Sequence, residues 1–310
     1  MNWSRREILL GAAAAALAAP VRSGADQQAG GKVERIRTRR IPRTGEQLPV
    51  IGMGTYRTFD AEEETSKPLR EVLRRFFAAG GRVIDSSPMY GRAEEVVGAL
   101  VDPAQRPFLA TKVWTSGREQ GIEQMRRSMQ RMAPHGNGRP FDLMQIHNLV
   151  DWRTHLPTLR AWKDEGTIRY WGITHYSASA FPEMEAIVRA EKPDFVQLPY
   201  SVGAREAEDH LLPACADQGV AVLVERPFEA GSLFRDVVKR PLPAWATEID
   251  CTSWAQIFLK FILGHPAVTC PIPATSNPEH MTDDMRAGFG RLPDRALRKR
   301  MVAELTGGTR

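Results

Sequence analysis

Four side chains in this sequence have types and spacing suited to proton delivery at a polarised carbonyl. They are Asp85 in Val83-Ile84-Asp85-Ser86, Tyr90 in Pro88-Met89-Tyr90-Gly91, Lys112 in Ala110-Thr111-Lys112-Val113, and His147 in Gln145-Ile146-His147-Asn148. A free phenol has a pKa near 10 and is a poor acid at neutral pH. A neighbouring ammonium stabilises phenolate, so Lys112 is expected to lower the Tyr90 pKa and make its hydroxyl a competent acid. Asp85 can supply the counter-charge that an ammonium needs in a partly dry site. His147 can donate to a carbonyl oxygen and polarise it while Tyr90 gives the proton. Taken one at a time, the same residues also read as a buried salt bridge and as core packing.

These residues need a scaffold that brings them to one place. After a hairpin, with arms Val33–Ile41 and Gln47–Val50 around Arg43-Thr44-Gly45-Glu46, short apolar runs alternate with longer stretches of helical period. The runs are Ile51–Thr55, Arg82–Ser86, Phe108–Val113, Phe141–His147, Ile168–Thr174, Phe195–Leu198, Val220–Val224 and Val268–Pro271. Between them, Pro68–Ala79, Glu119–Met132, His155–Glu165 and Glu206–Gln218 space apolar residues at three and four. Alternation of this kind predicts an α/β fold, a (β/α)8 TIM barrel with an N-terminal β-hairpin. No GxGxxG follows an early strand, which weakens a doubly wound dinucleotide fold. Asp85, Lys112, His147, Thr174, Gln197 and Glu225 each fall at or just after the carboxyl end of a run. In a parallel barrel those ends share the face that carries chemistry.

The chain has 310 residues, 42% hydrophobic and 25% charged, which excludes a disordered, collagen-like or disulfide-stapled protein. Its formal charge of +5 sits partly in Arg5, Arg6 and Arg22, too little to argue for nucleic acid. Cys215, Cys251 and Cys270 lack metal-ligand spacing and read as small buried hydrophobes; no metal site is expected. Residues 1–25 begin with Ser4-Arg5-Arg6 and continue into a short alanine-rich run, which resembles a twin-arginine export signal. That resemblance implies passage through the twin-arginine export machinery to the periplasm or beyond. Residues 26–32 read as a linker, and 33–310 as one barrel domain that is soluble without a membrane span.

Residues 33–290 resemble the aldo/keto reductase family. Its Asp, Tyr, Lys and His tetrad falls on Asp85, Tyr90, Lys112 and His147, and Gly52-Met53-Gly54-Thr55-Tyr56 matches near the first barrel strand. The resemblance implies hydride transfer between C4 of a nicotinamide nucleotide, NADP or NAD, and an aldehyde or ketone. It also implies cofactor contacts from Gly54 and Thr55, and a carboxamide clamp from Thr174, His175 and Gln197. His175 stands where the family has Asn. Glu225 stands where many members carry an aromatic residue under the nicotinamide, so the ring's support must come from elsewhere. Arg226 suits the pyrophosphate by charge, and Thr275, Ser276, Asn277, His280 and Asp284 occupy the adenosine segment. Ala274 and His280 replace the Lys and Arg common in NADPH-preferring members. Tyr56, Trp114, Asn148 and Tyr176, on strand-following loops, would line the substrate pocket.

Two other readings use the same residues. A nucleotide-binding sensor on this scaffold has no need of an activated tyrosine. A carbohydrate-processing barrel would pair Asp85 with Glu225, but Lys112 would neutralise Asp85.

Overall fold

The computed structural model describes residues 34–62, 66–134, 136 and 139–307; the expected export signal and linker lie outside the described residues. The hairpin forms from β1 (Thr38–Arg40) and β2 (Gln47–Pro49), antiparallel with Arg39 opposite Leu48. At its turn the Ile41 N–H donates to the Glu46 carbonyl at 2.8 Å. Ile41 and Leu48 are buried against Val83, Phe108, Leu143, Tyr170 and Phe195, so the hairpin plugs one end of the structure that follows.

That structure is a parallel sheet of eight strands in chain order: β3 (Met53–Gly54), β4 (Val83–Asp85), β5 (Phe108–Val113), β6 (Phe141–His147), β7 (Ile168–Thr174), β8 (Phe195–Pro199), β9 (Ala221–Glu225) and β10 (Cys270–Pro271). A bridge between Gly54 and Ala274 brings its two edges together. Gly52 and Gly54 N–H groups donate there to the Pro271 and Pro273 carbonyls at 3.0 and 2.9 Å. A Cβ at Gly54 would lie 2.9 Å from the Ile272 carbonyl oxygen, so only glycine lets the seam close. The expected runs of β5, β6 and β7 coincide with the observed strands; those of β3, β4 and β10 are trimmed, while β8 and β9 each run one residue further, to Pro199 and Glu225.

Helices follow the strands: α1 (Lys67–Ala78), α2 (Ala93–Leu100), α3 (Arg118–Met132), α4 (Trp152–Asp164), α5 (Phe181–Glu191), α6 (Leu211–Asp217), α7 (Ser232–Val237), α8 (Trp254–Leu263), α9 (Pro278–Arg286) and α10 (Arg295–Leu305). Helix α1 illustrates the rule: Pro68 opens it, and Leu69, Val72, Leu73 and Phe76 bury one face at spacings of three and four. Helix α8 is buried from Gln256 to Leu263. Lys260 on it donates to the Ile249 and Arg291 carbonyls at 2.6 and 3.0 Å, tying down the segments that cross over it.

Residues 206–218, expected as one helix, divide into a 3-10 turn at Glu206–Glu208 and α6. Pro213 has no N–H for the Asp209 carbonyl, so a continuous helix would lose that bond; the helix restarts with the proline in its first turn. The three cysteines are buried and free. No helix among the described residues is long and apolar enough to cross a membrane.

Candidate active site

Strand residues alternate between the barrel interior and the helices, and in parallel pairing directly opposed residues share a face. The register therefore carries one interior set around the barrel. Gly54 opposes Asp85 and Asp85 opposes Ala110; Lys112 opposes Gln145, and Gln145 opposes Gly172. His147 opposes Thr174, Thr174 opposes Gln197, Gln197 opposes Leu223, and Pro199 opposes Glu225. Lower in the barrel these positions are apolar and close-packed around Phe108, Tyr170 and Phe195. At the carboxyl ends they become Asp85, Lys112, Gln145, His147, Thr174, Gln197 and Glu225. Gly172 keeps room among them, since a Cβ there would lie 2.7 Å from the Phe195 carbonyl oxygen and 3.3 Å from Gln145 Cγ.

The centre of this layer is a buried ion pair. Lys112 Nζ donates to Asp85 Oδ2 at 2.7 Å and to the Ser86 carbonyl at 2.6 Å. Gln145 Nε2 donates to the other carboxylate oxygen, Oδ1, at 3.1 Å. Thr55 Oγ1 donates to the Asp85 carbonyl or to Ser86 Oγ, each 3.0 Å away. Lys112 Nζ lies 5.4 Å from the Tyr90 ring centroid, and Tyr90 meets His147 edge-on at 6.1 Å. Ser87 Oγ lies 3.0 Å from His147 Nδ1. The four residues singled out in the sequence are brought together.

Their protonation differs from expectation in one respect. Burial pushes the Tyr90 phenol up, well above its usual range, and the carboxylates of Asp85 and Glu225 push the same way. The expected lowering by Lys112 is absent: burial dominates, and the Lys112 ammonium is hydrogen-bonded to Asp85 and the Ser86 carbonyl. Burial, with the Lys112 ammonium, lowers the His147 pKa to about 3, so this imidazole is neutral at pH 7.

Beside the ion pair lie polar atoms whose needs the described residues do not meet. Thr174 Oγ1, both amide atoms of Gln197, Gln145 Oε1 and Glu225 Oε1 are enclosed without a hydrogen-bond partner. Buried polar atoms are normally paired, and orphans gathered in one interior layer fit a ligand that both donates and accepts. A primary carboxamide has both functions, so the residues present fit a nicotinamide. His175 Nδ1 accepts from the Ser177 N–H at 3.0 Å, which places the neutral ring's proton on Nε2. Its ring stacks on Tyr176 at 5.3 Å.

Around the mouth stand exposed aromatics. Tyr56 packs on Tyr90 at 5.0 Å and Trp114 on His147 at 6.3 Å. Tyr56, Met89, Trp114 and Tyr176 are all exposed large apolar side chains, and all follow barrel strands. Asn148 begins the turn after β6 at φ +53°.

The aldo/keto reductase family model matches residues 50–299. The chain belongs to the aldo/keto reductase family. Methylglyoxal reductase YeaE of Escherichia coli K12 is 28% identical over 244 residues, or 76% of this chain and 83% of its own. An aldo-keto reductase from Klebsiella pneumoniae, crystallised with NADPH, superposes with a TM-score of 0.71 at 23% identity, covering 88% of this chain and 95% of that one. The holo form of a Bacillus halodurans aldo-keto reductase gives 0.69 at 20%, covering 87% and 96%.

The segment expected to face the adenosine is a compact turn. Thr275 Oγ1 accepts from the Asn277 N–H at 3.0 Å, and Asn277 caps α9 by accepting from the Glu279 N–H at 2.8 Å. Ser276 and His280 are exposed. Asp284 is buried, and burial raises its pKa well above the carboxylate range. Arg226, at φ +52°, borders a cavity of about 440 Å³ between the loops that follow β7, β8 and β9, shared with Tyr176, Glu229 and Ser232. Gly54 and Thr55 serve the barrel seam and the Asp85 segment. Sequence reasoning passed over Gln145 and Ser87. Gln145 was accessible to it, because it lies two residues before His147 and so on the same strand face. Ser87 gave no such signal, since a loop brings it to His147.

Proposed function

We propose that this NAD(P)-dependent oxidoreductase moves hydride between a nicotinamide nucleotide and an aldehyde or ketone, with Asp85, Tyr90, Lys112 and His147 as its catalytic set. The observation that carries this is the convergence of the four on one buried spot at the barrel mouth, beside polar atoms suited to a carboxamide. A bound reduced nicotinamide supplies the hydride. Tyr90 delivers a proton to the carbonyl oxygen; the developing alkoxide is a stronger base than phenolate, so a phenol held neutral by burial still gives up its proton. Ser87 Oγ accepts from the Met89 N–H at 3.4 Å and has its own hydrogen free for His147 Nδ1. His147 then carries its proton on Nε2, where it polarises the carbonyl. Lys112 and Asp85 hold the floor beneath the phenol. Thr174, His175 and Gln197 position the carboxamide, with Arg226 and the 275–284 segment toward the phosphates and adenosine. Tyr56, Trp114, Asn148 and Tyr176 enclose the carbonyl compound. The test is loss of reduced-nucleotide absorbance when the protein meets NADPH and a generic aldehyde; no turnover across a carbonyl panel overturns the reading.

We propose further that residues 1–25 send the folded protein through the twin-arginine machinery. The support is the sequence alone: Arg5-Arg6 before a short apolar run. That route carries folded cargo, so a nucleotide bound in the cytoplasm can travel inside the barrel. Replacing both arginines by lysine should strand a folded, nucleotide-binding protein in the cytoplasm. Equal export of that variant, or a wild-type protein confined to the cytoplasm, overturns the proposal.

A further inference from the structure

The interior layer at the barrel mouth contains one acidic group that the proposed reaction does not use. Glu225 closes β9, two and four residues beyond the interior-facing Leu223 and Ala221, and opposite Pro199. The pleat therefore turns its side chain into the mouth, and its Oε1 is enclosed without a hydrogen-bond partner. A buried carboxylate oxygen without a partner is costly, which calls for a ligand that compensates it.

The groups around it define what that ligand must offer. Lys112 on β5 acts on Glu225 as a cation, Asp85 on β4 as an anion, and Arg226, the next residue, as a second cation; the Tyr90 phenol in turn feels the Glu225 charge. The flanking strands add no ionised group, since β8 presents Gln197 and Pro199, and beside β9 lie Ile272 and Cys270, whose thiol burial keeps neutral. Lys112 is matched by Asp85 at 2.7 Å and Arg226 is exposed outside the layer, so within the barrel an ionised Glu225 is the unmatched charge. A nicotinamide nucleotide offers that position two rings of nearly equal shape. The reduced ring is neutral and the oxidised ring is a pyridinium cation.

We propose that Glu225 sets the preference of this site between oxidised and reduced nucleotide, its carboxylate favouring the pyridinium ring. This rests on the nicotinamide reading given above. An aromatic residue at the same place stacks on either ring, whereas a carboxylate distinguishes them by charge. Selective stabilisation of the oxidised form also favours the direction in which hydride leaves the nucleotide and the carbonyl is reduced.

The charge state of Glu225 makes the effect adjustable. Burial, opposed by Lys112, raises its pKa to about 7. Below pH 7 the group is neutral and the selectivity is absent; above pH 7 it is ionised and the selectivity appears. By linkage, binding the oxidised nucleotide must lower this pKa and release a proton, and binding the reduced nucleotide must not.

The test measures dissociation constants of the full-length protein for NADP+ and NADPH at pH 6 and pH 8, by fluorescence titration and by calorimetry in two buffers of different ionisation enthalpy. In the wild type, the affinity for NADP+ relative to NADPH is expected to rise about tenfold from pH 6 to pH 8, equivalent to roughly 1.4 kcal/mol. Proton release at pH 7 should accompany NADP+ alone. Glu225→Gln should hold the ratio at its pH 6 value throughout and abolish the proton release, while Glu225→Asp retains a pH-dependent ratio. The wild-type measurement stands without either variant. A ratio that does not change with pH in the wild type, or that changes equally in Glu225→Gln, overturns the proposal. Failure of the wild type to bind either nucleotide overturns the nicotinamide reading itself, and is distinguishable from binding of both with a constant ratio.

Discussion

At the amino end of the barrel the Tyr170 hydroxyl donates to Glu46 at 2.7 Å and lies 3.1 Å from Thr44 Oγ1. Glu46 is also bonded by Arg169, which reaches Asp142 at 2.7 Å, and Asp142 accepts the Leu109 N–H at 2.9 Å. At the carboxyl end the Tyr90 hydroxyl makes no hydrogen bond among the described residues, and the polar atoms of Thr174, Gln197, Gln145 and Glu225 named above stand unpaired. Both ends use the same strand alternation. One satisfies its polar groups internally and packs Phe108, Tyr170 and Phe195 together; the other leaves hydrogen-bonding capacity unspent. The difference teaches where stability and function reside, because an internally complete end holds the barrel and an incomplete one recognises something else.

The largest expected effect falls at the incomplete end. Tyr90→Phe removes the proton donor without touching the Asp85–Lys112 pair, and kcat for carbonyl reduction should fall about 10²–10⁴-fold. Nucleotide affinity, read by fluorescence titration, should stay within about twofold. Retention of most of the rate would take Tyr90 out of the mechanism.

Next comes the complete end. Phe195→Ala empties a fully buried site between Phe108 and Tyr170 and should cost about 3–5 kcal/mol in denaturant unfolding. Under folding conditions its nucleotide dissociation constant should match the wild type. A large loss of affinity with little loss of stability would erase the division between the two ends.

Gln197→Leu sharpens the same comparison with a smaller and opposite signature. The amide has no partner at either atom, so its removal leaves stability unchanged or raises it by about 1–3 kcal/mol. Nucleotide affinity should fall about tenfold for the lost carboxamide bonds. Lower stability in unfolding experiments would mean that Gln197 is a structural residue.

How much of this could be read beforehand divides along similar lines. The strands of β5, β6 and β7 and the positions of Asp85, Lys112 and His147 were legible because buried parallel strands are apolar runs and a polar residue closing one stands out. The Tyr90 protonation state was not, since it is set first by burial at the barrel mouth and then by the Asp85 and Glu225 carboxylates, and depth of burial on a loop has no sequence signature. The break at Pro213 was legible in principle, but the apolar spacing on both sides concealed it. Gly54 and Thr55 matched a motif whose visible work here is closing the barrel seam and holding the Asp85 segment. Glu225 stood out as a departure, yet only the register with Pro199 shows which way it faces.

The smallest expected effect concerns the far end of the nucleotide. A 2′-phosphate carries two negative charges and is best held by a fixed cation. Ala274 offers none, and His280 is an exposed imidazole in the first turn of α9, not a fixed guanidinium. Arg75, a cation that reaches this helix from α1, is bound to Glu71 and Glu279 at 2.7 Å each. NADH and NADPH should therefore bind within about tenfold of one another, a difference of at most roughly 1.4 kcal/mol. Ala274→Lys combined with His280→Arg should strengthen NADPH binding and leave NADH unchanged, and the gain should shrink as salt is raised, because exposed charges are screened. A wild-type preference for NADPH of several hundredfold would instead point to Arg226 or Arg286. Replacing each of those by Gln, with the 2′-phosphate affinity measured against NADH, identifies which one holds it.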